Sequence, residues 1–213
     1  MGLSEPIGIL GGSFDPVHHG HLRSALDVCD ALSLESVHLL PNYISPLKSV
    51  IHASDIHRVA MLQLATEDCP QLTIDLRELS TSEASFTVDT LEQLRQLHPQ
   101  RPLCFLIGMD SLHSLTYWHR WQEILTLCHL VVSARPGWQI PVDGEVATLV
   151  TTHRVHDSKA LHQQLAGAIY IHEAYPLSIS SSEIRSLCQH NKSCQFLLPQ
   201  NVLNYINKHQ LYR

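Results

Sequence analysis

Short apolar runs alternate with segments of helical periodicity along most of the chain. The apolar runs predict strands at residues 6–10, 37–41, 72–76, 103–107, 130–132 and 168–172. Apolar residues three or four positions apart predict helices at residues 22–29, 54–65, 87–94, 118–127, 180–188 and 202–206. Beyond Gly137 the pattern weakens, and a polar stretch to about Lys159 contains one further predicted strand at residues 146–150.

The alternation of strand and helix predicts the fold class. Repeated strand–helix units form parallel sheets whose strands are buried on both faces. We therefore expect an α/β fold, with a Rossmann-like doubly wound parallel sheet, helices on both faces and closing C-terminal helices. Ligands of such sheets bind beyond the carboxyl ends of the strands, near the point where the strand order reverses. The sequence contains no internal repeat and no clear linker, so residues 1–213 are expected to form a single domain.

The composition restricts the class of protein. The chain has 213 residues, of which 44% are hydrophobic, and a formal net charge of -6. This charge disfavours a protein that coats DNA or RNA, although a pocket can still be locally positive. No apolar run approaches the ~20 residues that span a bilayer. The N-terminus lacks the basic start and apolar core of a secretion signal, so we expect a soluble, cytoplasmic protein without nucleic-acid or membrane partners.

The segment that follows the first predicted strand, residues 11–21, has the features of a phosphate site. Gly11 and Gly12 allow the backbone to turn tightly and to approach a ligand closely. His18 and His21 lie three positions apart at a helix start, so both side chains can face the same point, and Gly20 removes bulk beside them. The amide groups and the positive dipole of a helix N-terminus also attract phosphate.

Two other interpretations of this segment remain open from its residues alone. A His-His-x-His cluster can bind zinc or another transition metal, but no carboxylate or thiolate lies at ligand spacing. The chain contains 16 histidines, so the segment can also be a strand-to-helix turn with incidental surface histidines. Neither Gly-x-Gly-x-x-Gly nor Gly-Lys-Ser/Thr occurs, which disfavours a dinucleotide-binding fingerprint and a P-loop.

A second segment, residues 179–185, reads Ile-Ser-Ser-Ser-Glu-Ile-Arg. Its spacing is typical of a capped helix start, in which Ser180 or Ser181 caps the helix and Glu183 completes a capping box with Ser180. Arg185 is predicted in the first turn, where its guanidinium and the free amides can both meet phosphate. The residues alone leave open whether this segment is only a helix start or also part of a phosphate site.

Together, the two segments resemble the signature of a known superfamily. Residues 12–21 look like the (His/Thr)-x-Gly-His motif of the nucleotidyltransferases. Residues 179–185 are similar to the Ile-Ser-Ser-Thr-x-Ile-Arg motif of the same superfamily, with Ser182 in place of threonine. Four further segments resemble bacterial nicotinate-nucleotide adenylyltransferases in particular; they are residues 85–91, 107–112, 118–124 and 135–137.

This resemblance implies an activity and a set of site residues. It implies a single nucleotidyltransferase domain that transfers the adenylyl group of ATP, accompanied by Mg²⁺, to nicotinate mononucleotide in NAD biosynthesis. It also implies catalytic, charge-stabilising roles for His18, His21 and Arg185, and no metal ligand. The implied ATP-binding residues are Gly11, Gly12, Ser13, Phe14, His18, His21, Gly108, Asp110, Arg135, Ile179, Ser181, Ser182 and Arg185. The implied residues for nicotinate mononucleotide are Gly12, Ser13, Lys48, Ser85, Thr87, Tyr117 and Trp118.

Some of these residues have a local alternative. Trp118 offers a flat face on which a pyridinium ring can stack, but it can also belong to the core, as is expected of Trp121. Asp110 can accept hydrogen bonds from ribose hydroxyls or cap the helix that follows its strand. The resemblance implies that backbone amides near Thr87 and Tyr117 bind the nicotinate carboxylate.

The loop at residues 41–48 departs from the family pattern Pro-x-x-x-Pro-Pro-His-Lys. Ser45 replaces a proline and Leu47 replaces the histidine, whereas Lys48 remains as an expected phosphate partner. The loop has therefore lost one stiffening residue and one polar donor.

Other functions remain open at this point. The acceptor can be nicotinamide mononucleotide or phosphopantetheine, or the chain can be a nucleotide-binding module without catalysis. A nucleic-acid-modifying relative of the aminoacyl-tRNA synthetases is disfavoured by the acidic charge. The oligomeric state is not predicted.

Overall fold

The computed structural model describes residues 3–43, 51–80, 86–134, 139–173 and 177–213. The strands in this part of the chain are β1 (Ile7–Gly12), β2 (Ser36–Pro41), β3 (Leu72–Ile74), β4 (Leu103–Gly108), β5 (His129–Ala134), β6 (Arg154–Val155) and β7 (Ile169–Glu173). These seven strands form one sheet in the order β3-β2-β1-β4-β5-β7-β6, and every neighbouring pair is parallel.

Helices connect the strands and follow the last one. In the described ranges they are α1 (His19–Ala31), α2 (Asp55–Thr66), α3 (Thr87–Leu97), α4 (Met109–His113), α5 (Trp121–Leu127), α6 (Gly144–His153), α7 (Ala160–Gln163), α8 (Ser181–Gln189) and α9 (Gln200–Lys208). Short 3-10 turns occur at Arg77–Ser80 and Leu115–Tyr117. None of the described helices has the length and apolarity needed to cross a membrane.

The central strands are buried on both faces, and alternate residues of one strand enter different cores. In β4, Cys104 and Leu106 pack with α1, α2, α8 and α9, whereas Phe105 and Ile107 pack with α3 to α6 on the other face. The continuous apolar sequence of β4 follows from this double burial. The prediction of an α/β fold with a doubly wound parallel sheet, helices on both faces and closing C-terminal helices is confirmed.

The strand order reverses at β1, which pairs with β2 on one side and with β4 on the other. The loops after β1 and β4 leave in opposite directions, so a crevice opens at the carboxyl ends of these two strands. Gly11 and Gly12 end β1, and Gly108 ends β4. The crevice therefore presents backbone, rather than side chains, at its floor.

The structure corrects the prediction for residues 146–150, which belong to helix α6 and not to a strand. Their β-branched side chains favour strands by propensity. However, Val146 and Val150 lie four residues apart and are both buried against the core. The hydroxyls of Thr151 and Thr152 donate to carbonyl oxygens four residues earlier, each at 2.8 Å. Burial of one helical face therefore outweighs the strand propensity here.

Two predicted boundaries are also wrong. The helix expected from Trp118 begins only at Trp121, because Arg120 has a left-handed backbone conformation with φ 49° and ψ 40°. The strand expected over residues 72–76 ends at Ile74, where a 3-10 turn follows. Charged side chains make local hydrogen bonds at both breaks, and periodicity does not report such bonds.

His129, at the start of β5, is fully buried and joins two segments of the sheet. Its Nδ1 accepts the amide of Ala168 at 3.0 Å, so the proton lies on Nε2, which donates to the carbonyl of Gln164 at 2.9 Å. Burial lowers the pKa of His129 below its ordinary value. The folded protein therefore holds this ring in its neutral form.

We predict that stability falls at acidic pH partly through His129. The unfolded chain takes up this proton near the ordinary pKa of about 6.5, whereas the folded chain takes it up only at lower pH. The free energy of unfolding therefore decreases as the pH falls below that value, by at most about 1.4 kcal/mol per pH unit for one proton. Urea unfolding between about pH 7.5 and pH 5.5 should show a smaller decrease for His129→Asn than for the wild type. The exposed His190→Asn is the control, and equal decreases in wild type and His129→Asn would contradict the assignment.

Candidate active site

Two adjoining cavities occupy the crevice at the carboxyl ends of the strands. Residues 11–13, Asn42 and Gly108 line both of them. The first has a volume of about 460 Å³, and we call it the histidine cavity; the residues that line it and not the second cavity include Asp15, His18, His21, Arg23, Asp110, Ser181, Ser182 and Arg185. The second has a volume of about 500 Å³, and we call it the aromatic cavity; its distinguishing residues are Phe86, Thr87, Phe105, Tyr117, Trp118 and His119.

The histidine cavity is built around the paired rings of His18 and His21. Helix α1 begins at His19, with His18 as its N-cap residue, and the two rings stack with their centroids 3.7 Å apart. Glycine is needed at position 20, which lies between the two histidines in the sequence, because a Cβ there would lie 2.9 Å from the ring of His18. The structure thus brings the two imidazoles together as their spacing predicts.

Helix α8 brings the second motif into the same cavity. Ser180 caps the helix as predicted, since its hydroxyl accepts a backbone amide of the first turn at 3.1 Å. The hydroxyl of Ser181 donates to the carbonyl of Pro16 at 2.9 Å, and Arg185 Nη1 donates to the carbonyl of Asp15 at 2.7 Å. The two motifs are therefore hydrogen-bonded to each other, although these partners are 165 and 170 residues apart in the sequence.

The turn after β1 packs the ring of Phe14 against the histidine pair. Phe14 has a left-handed φ of 47°, and its ring is fully buried. This ring lies edge-on to His21, with the centroids 5.1 Å apart. A Cβ at Gly12 would lie 3.3 Å from the Phe14 ring, so the absence of a side chain at Gly12 makes room for this packing. Phe14 therefore acts as a support rather than as part of the cavity wall.

Gly108 and Asp110 form the edge of the histidine cavity at the end of β4. Gly108 is the N-cap residue of α4, and a Cβ there would collide with the carboxylate of Asp110. Asp110 lies in the first turn of α4, so it is not the residue that caps this helix. Its carboxylate is exposed and lines the cavity, which leaves it available to a ligand.

The aromatic cavity has an indole ring in its wall. Trp118 is half-buried, and its ring lies edge-on to Phe105 with the centroids 6.2 Å apart. The indole Nε1 is buried and has no hydrogen-bond partner in the described part of the chain. Trp121 packs against the core, as expected. Tyr117 is 80% exposed at the mouth of the cavity.

The first backbone amides of α3 are better placed to bind a ligand carboxylate than the amides of the 3-10 turn before Trp118. Helix α3 begins at Thr87, and the side chain of its N-cap residue, Phe86, makes no capping hydrogen bond. The amides of Tyr117 and Trp118 instead donate to carbonyl oxygens of their own 3-10 turn, each at 3.0 Å. The predicted carboxylate site is therefore geometrically better at Thr87 than at Tyr117.

Some predicted site residues lie outside the described ranges. These are Lys48, Ser85 and Arg135, and the loop substitutions before Lys48 fall there as well. All the other predicted site residues except Phe14 line one of the two cavities. Among the residues that the structure describes, no three His, Cys, Asp or Glu side chains are grouped as a metal site.

The sequence matches the family model described as Cytidylyltransferase-like over residues 9–187. It is 46% identical over 211 residues to an Aeromonas salmonicida protein named "Probable nicotinate-nucleotide adenylyltransferase", covering 99% of each chain. A protein of the same name from Psychromonas ingrahamii is 46% identical over 209 residues, covering 98% of each chain. The chain belongs to the nicotinate-nucleotide adenylyltransferase family. It is a nucleotidyltransferase.

A solved structure shares the fold of this family member. It is the Plasmodium falciparum nicotinic acid mononucleotide adenylyltransferase complexed with NaAD, with a TM-score of 0.74 over 98% of each chain. The sequence identity is 20%, so this likeness concerns the fold alone.

Sequence reasoning missed a buried arginine behind the junction of the two cavities. Arg58 in α2 is fully buried, and its guanidinium donates to the carbonyls of Ser13 and Asn42, each at 2.7 Å. It also pairs with a carboxylate of its own helix at 2.5 Å. These carbonyl oxygens consequently point at Arg58 rather than at an incoming phosphate. A signal does exist in the sequence, because Arg58 precedes the buried Met61 and Leu62 at helical spacing.

Two other lining residues, Arg23 and Asn42, were also not predicted. Arg23 is half-exposed, pairs with Asp27 at 3.3 Å and adds positive charge to the histidine cavity. The backbone amide of Asn42 donates to the carbonyl of Gly12 at 3.0 Å. Its Oδ1 is buried without a hydrogen-bond partner in the described ranges. No motif marks either residue, because each depends on how β1, β2 and α1 come together.

We predict that Gly20→Ala damages the site without weakening the fold. Alanine is favoured over glycine by about 1 kcal/mol in a helix interior and by less in the first turn, where Gly20 lies, but its Cβ would lie 2.9 Å from the His18 ring, so this ring must move. The melting temperature should therefore stay the same or rise, while ATP binds about tenfold more weakly by calorimetry. The exposed Asp30→Ala in the same helix should bind ATP like the wild type. Wild-type affinity in Gly20→Ala would show that the ring pair does not bind the nucleotide.

Proposed function

We propose that this chain transfers the adenylyl group of ATP to nicotinate mononucleotide and so forms nicotinate adenine dinucleotide and pyrophosphate, a step of NAD biosynthesis. The observation that carries the proposal is the junction of the two cavities at residues 11–13. A polar cavity with two histidines, Arg185 and helix N-termini meets an aromatic cavity there, over backbone with little side-chain bulk. A nucleoside triphosphate and a pyridine nucleotide need this arrangement to bring their phosphates together. The names of the full-length relatives support the same reaction.

ATP phosphates are proposed to occupy the histidine cavity. The imidazoles of His18 and His21 donate to phosphate oxygens, and their stacked geometry directs both at one group. Arg185 and the first amides of α8, at Ser181 and Ser182, bind the β,γ end. These groups supply positive charge from two sides of the triphosphate, with Lys48 proposed as a further phosphate partner.

The adenosine end is proposed to lie against the end of β4. Gly108 lets adenine approach the backbone, and the exposed carboxylate of Asp110 accepts hydrogen bonds from the ribose hydroxyls. The remaining proposed ATP contacts are Gly11, Gly12, Ser13, Arg135 and Ile179, with Phe14 as their support.

Nicotinate mononucleotide is proposed to occupy the aromatic cavity. Its pyridinium ring stacks on Trp118, a contact worth about 0.5–2 kcal/mol. Its carboxylate meets the first amides of α3 at Thr87, where the N-terminal dipole of the helix favours negative charge. Ser85 and the exposed Tyr117 complete the proposed acceptor site. Its phosphate then reaches Gly12 and Ser13 at the junction.

The reaction is proposed to be an in-line displacement. A phosphate oxygen of nicotinate mononucleotide attacks the α-phosphorus of ATP, the bond from that phosphorus to the bridging oxygen breaks, and pyrophosphate leaves. The attacking oxygen is already anionic at neutral pH, so no general base is needed. The site therefore acts by alignment and by neutralising charge. ATP-dependent nucleotidyltransferases generally use a divalent metal, and we propose that Mg²⁺ would enter with ATP and would help to neutralise the charge of its phosphates.

Residues 1–213 are proposed to act as one nucleotidyltransferase domain in the cytoplasm, on small-molecule substrates only. The relatives do not favour another acceptor or a module without catalysis.

We predict that His21→Ala loses about 100-fold or more in turnover, because a donor to the developing negative charge is removed. The variant should keep the circular dichroism spectrum and the melting temperature of a folded protein. His190→Ala, exposed at the end of α8, is the matched control and should keep the wild-type rate. A His21→Ala rate above half of the wild-type rate would remove this residue from the proposed mechanism.

An acceptor series tests the reaction itself. Pyrophosphate release is measured with ATP and, in turn, nicotinate mononucleotide, nicotinamide mononucleotide and phosphopantetheine. We expect the highest kcat/KM with nicotinate mononucleotide, because only its carboxylate can use the amides at Thr87. A higher kcat/KM with another acceptor would contradict the proposed substrate. Calorimetric ATP binding without any turnover would instead indicate a non-catalytic module.

A further inference from the structure

The C-terminal tail folds back onto the turn that follows β1. Helix α9 ends at Lys208, and Gln210 and Tyr212 have left-handed φ values of 53° and 64°. The tail thereby brings the Tyr212 hydroxyl to Asp15, where it donates to Oδ1 at 2.7 Å. Burial, followed by the charge of Asp15, raises the pKa of Tyr212, so the hydroxyl keeps its proton at neutral pH.

The Asp15 carboxylate is occupied by protein donors. It is 1% exposed and accepts the amide of His52 at 2.7 Å, the amide of Ala53 at 3.0 Å and the Tyr212 hydroxyl. A carboxylate buried this deeply needs such donors to offset its lost hydration. It is therefore engaged in fixing the turn and does not act as a ligand group.

The same residue holds Arg185 through its backbone. The carbonyl of Asp15 accepts Arg185 Nη1 at 2.7 Å, and Arg185 Nη2 donates to the hydroxyl of Ser182 at 3.1 Å. Two bonds thus set the plane of the guanidinium at the histidine cavity. The position of the Asp15 peptide, which Tyr212 helps to fix, decides where one of these bonds can form.

We propose that Asp15 and Tyr212 are positioning residues for the triphosphate, which act by holding Arg185 in its binding orientation. This inference rests on the proposed function, in which Arg185 binds the β,γ end of ATP. Removing the Tyr212 hydroxyl leaves the buried Asp15 carboxylate one donor short. The turn then relaxes to regain hydration, and the Arg185 guanidinium loses its fixed plane.

A purely structural role for the tail predicts a different dependence of ATP affinity on Arg185. Loss of the hydrogen bond would lower stability in both cases. Only the positioning role makes the effect on ATP affinity depend on Arg185. It also predicts a larger effect on ATP than on nicotinate mononucleotide, because Asp15 and Arg185 line the histidine cavity and do not line the aromatic cavity.

Tyr212→Phe in the full-length chain is the first test. We expect its dissociation constant for Mg²⁺-ATP, measured by calorimetry, to rise about tenfold, with the KM for nicotinate mononucleotide within about twofold of the wild type. Tyr205→Phe is the matched control, because it removes one hydroxyl of α9 that contacts His57 at 3.0 Å, away from the site. Tyr205→Phe should bind ATP like the wild type, and equal affinity in Tyr212→Phe would overturn the proposal.

A double-mutant cycle with Arg185→Ala gives the second test. In the Arg185→Ala background, Tyr212→Phe should no longer change the ATP dissociation constant, although it should still lower the melting temperature. Independent, multiplicative effects on ATP affinity would overturn the positioning role and leave only a structural one. The cycle uses binding, so it remains decisive if the wild type binds ATP but transfers no adenylyl group, a result that would refute the proposed function alone.

Discussion

The buried carboxylate of Asp15 is the constraint on which the rest of the site depends. A charge at this depth is stable only when several donors bind it. The backbone amides of His52 and Ala53 tie it to the segment before α2, while its own carbonyl binds Arg185 of α8. The turn that follows β1 thus connects two distant segments of the chain. Hydrogen bonds from Ser181 and Arg185 to this turn, together with burial of Ile184, hold the N-terminus of α8 beside the paired histidines.

The site also requires that little negative charge lies at the junction of the two cavities. In the proposed reaction two anionic phosphates meet there, and two unit charges 4 Å apart repel by about 4 kcal/mol at an effective dielectric of 20. The backbone contributes by keeping side chains and carbonyl oxygens away from the junction. Glycines at the ends of β1 and β4 keep side chains away, and Arg58 turns the carbonyl oxygens of Ser13 and Asn42 toward itself. Arg185 and the N-terminal dipoles of α1 and α8 then supply positive potential, and the two imidazoles supply hydrogen-bond donors.

Local features were the predictable part of this molecule. Residues 103–107 form an apolar run because their strand is buried on both faces, and His18 and His21 lie together because they are one helical turn apart. Residues 146–150 show the limit, since burial of one face of α6 overrides their strand propensity. Partners that are distant in the sequence were not predictable at all. Tyr212 meets Asp15 across 197 residues, and no local pattern encodes that meeting.

We propose that one dinucleotide spans both cavities across the turn after β1. A crystal structure of the chain with nicotinate adenine dinucleotide tests this most directly. We expect the pyridine ring on Trp118, the pyrophosphate between Ser13 and the histidine pair, and the adenosine at Gly108. A dinucleotide bound with its pyridine ring in the histidine cavity, or outside both cavities, would contradict it.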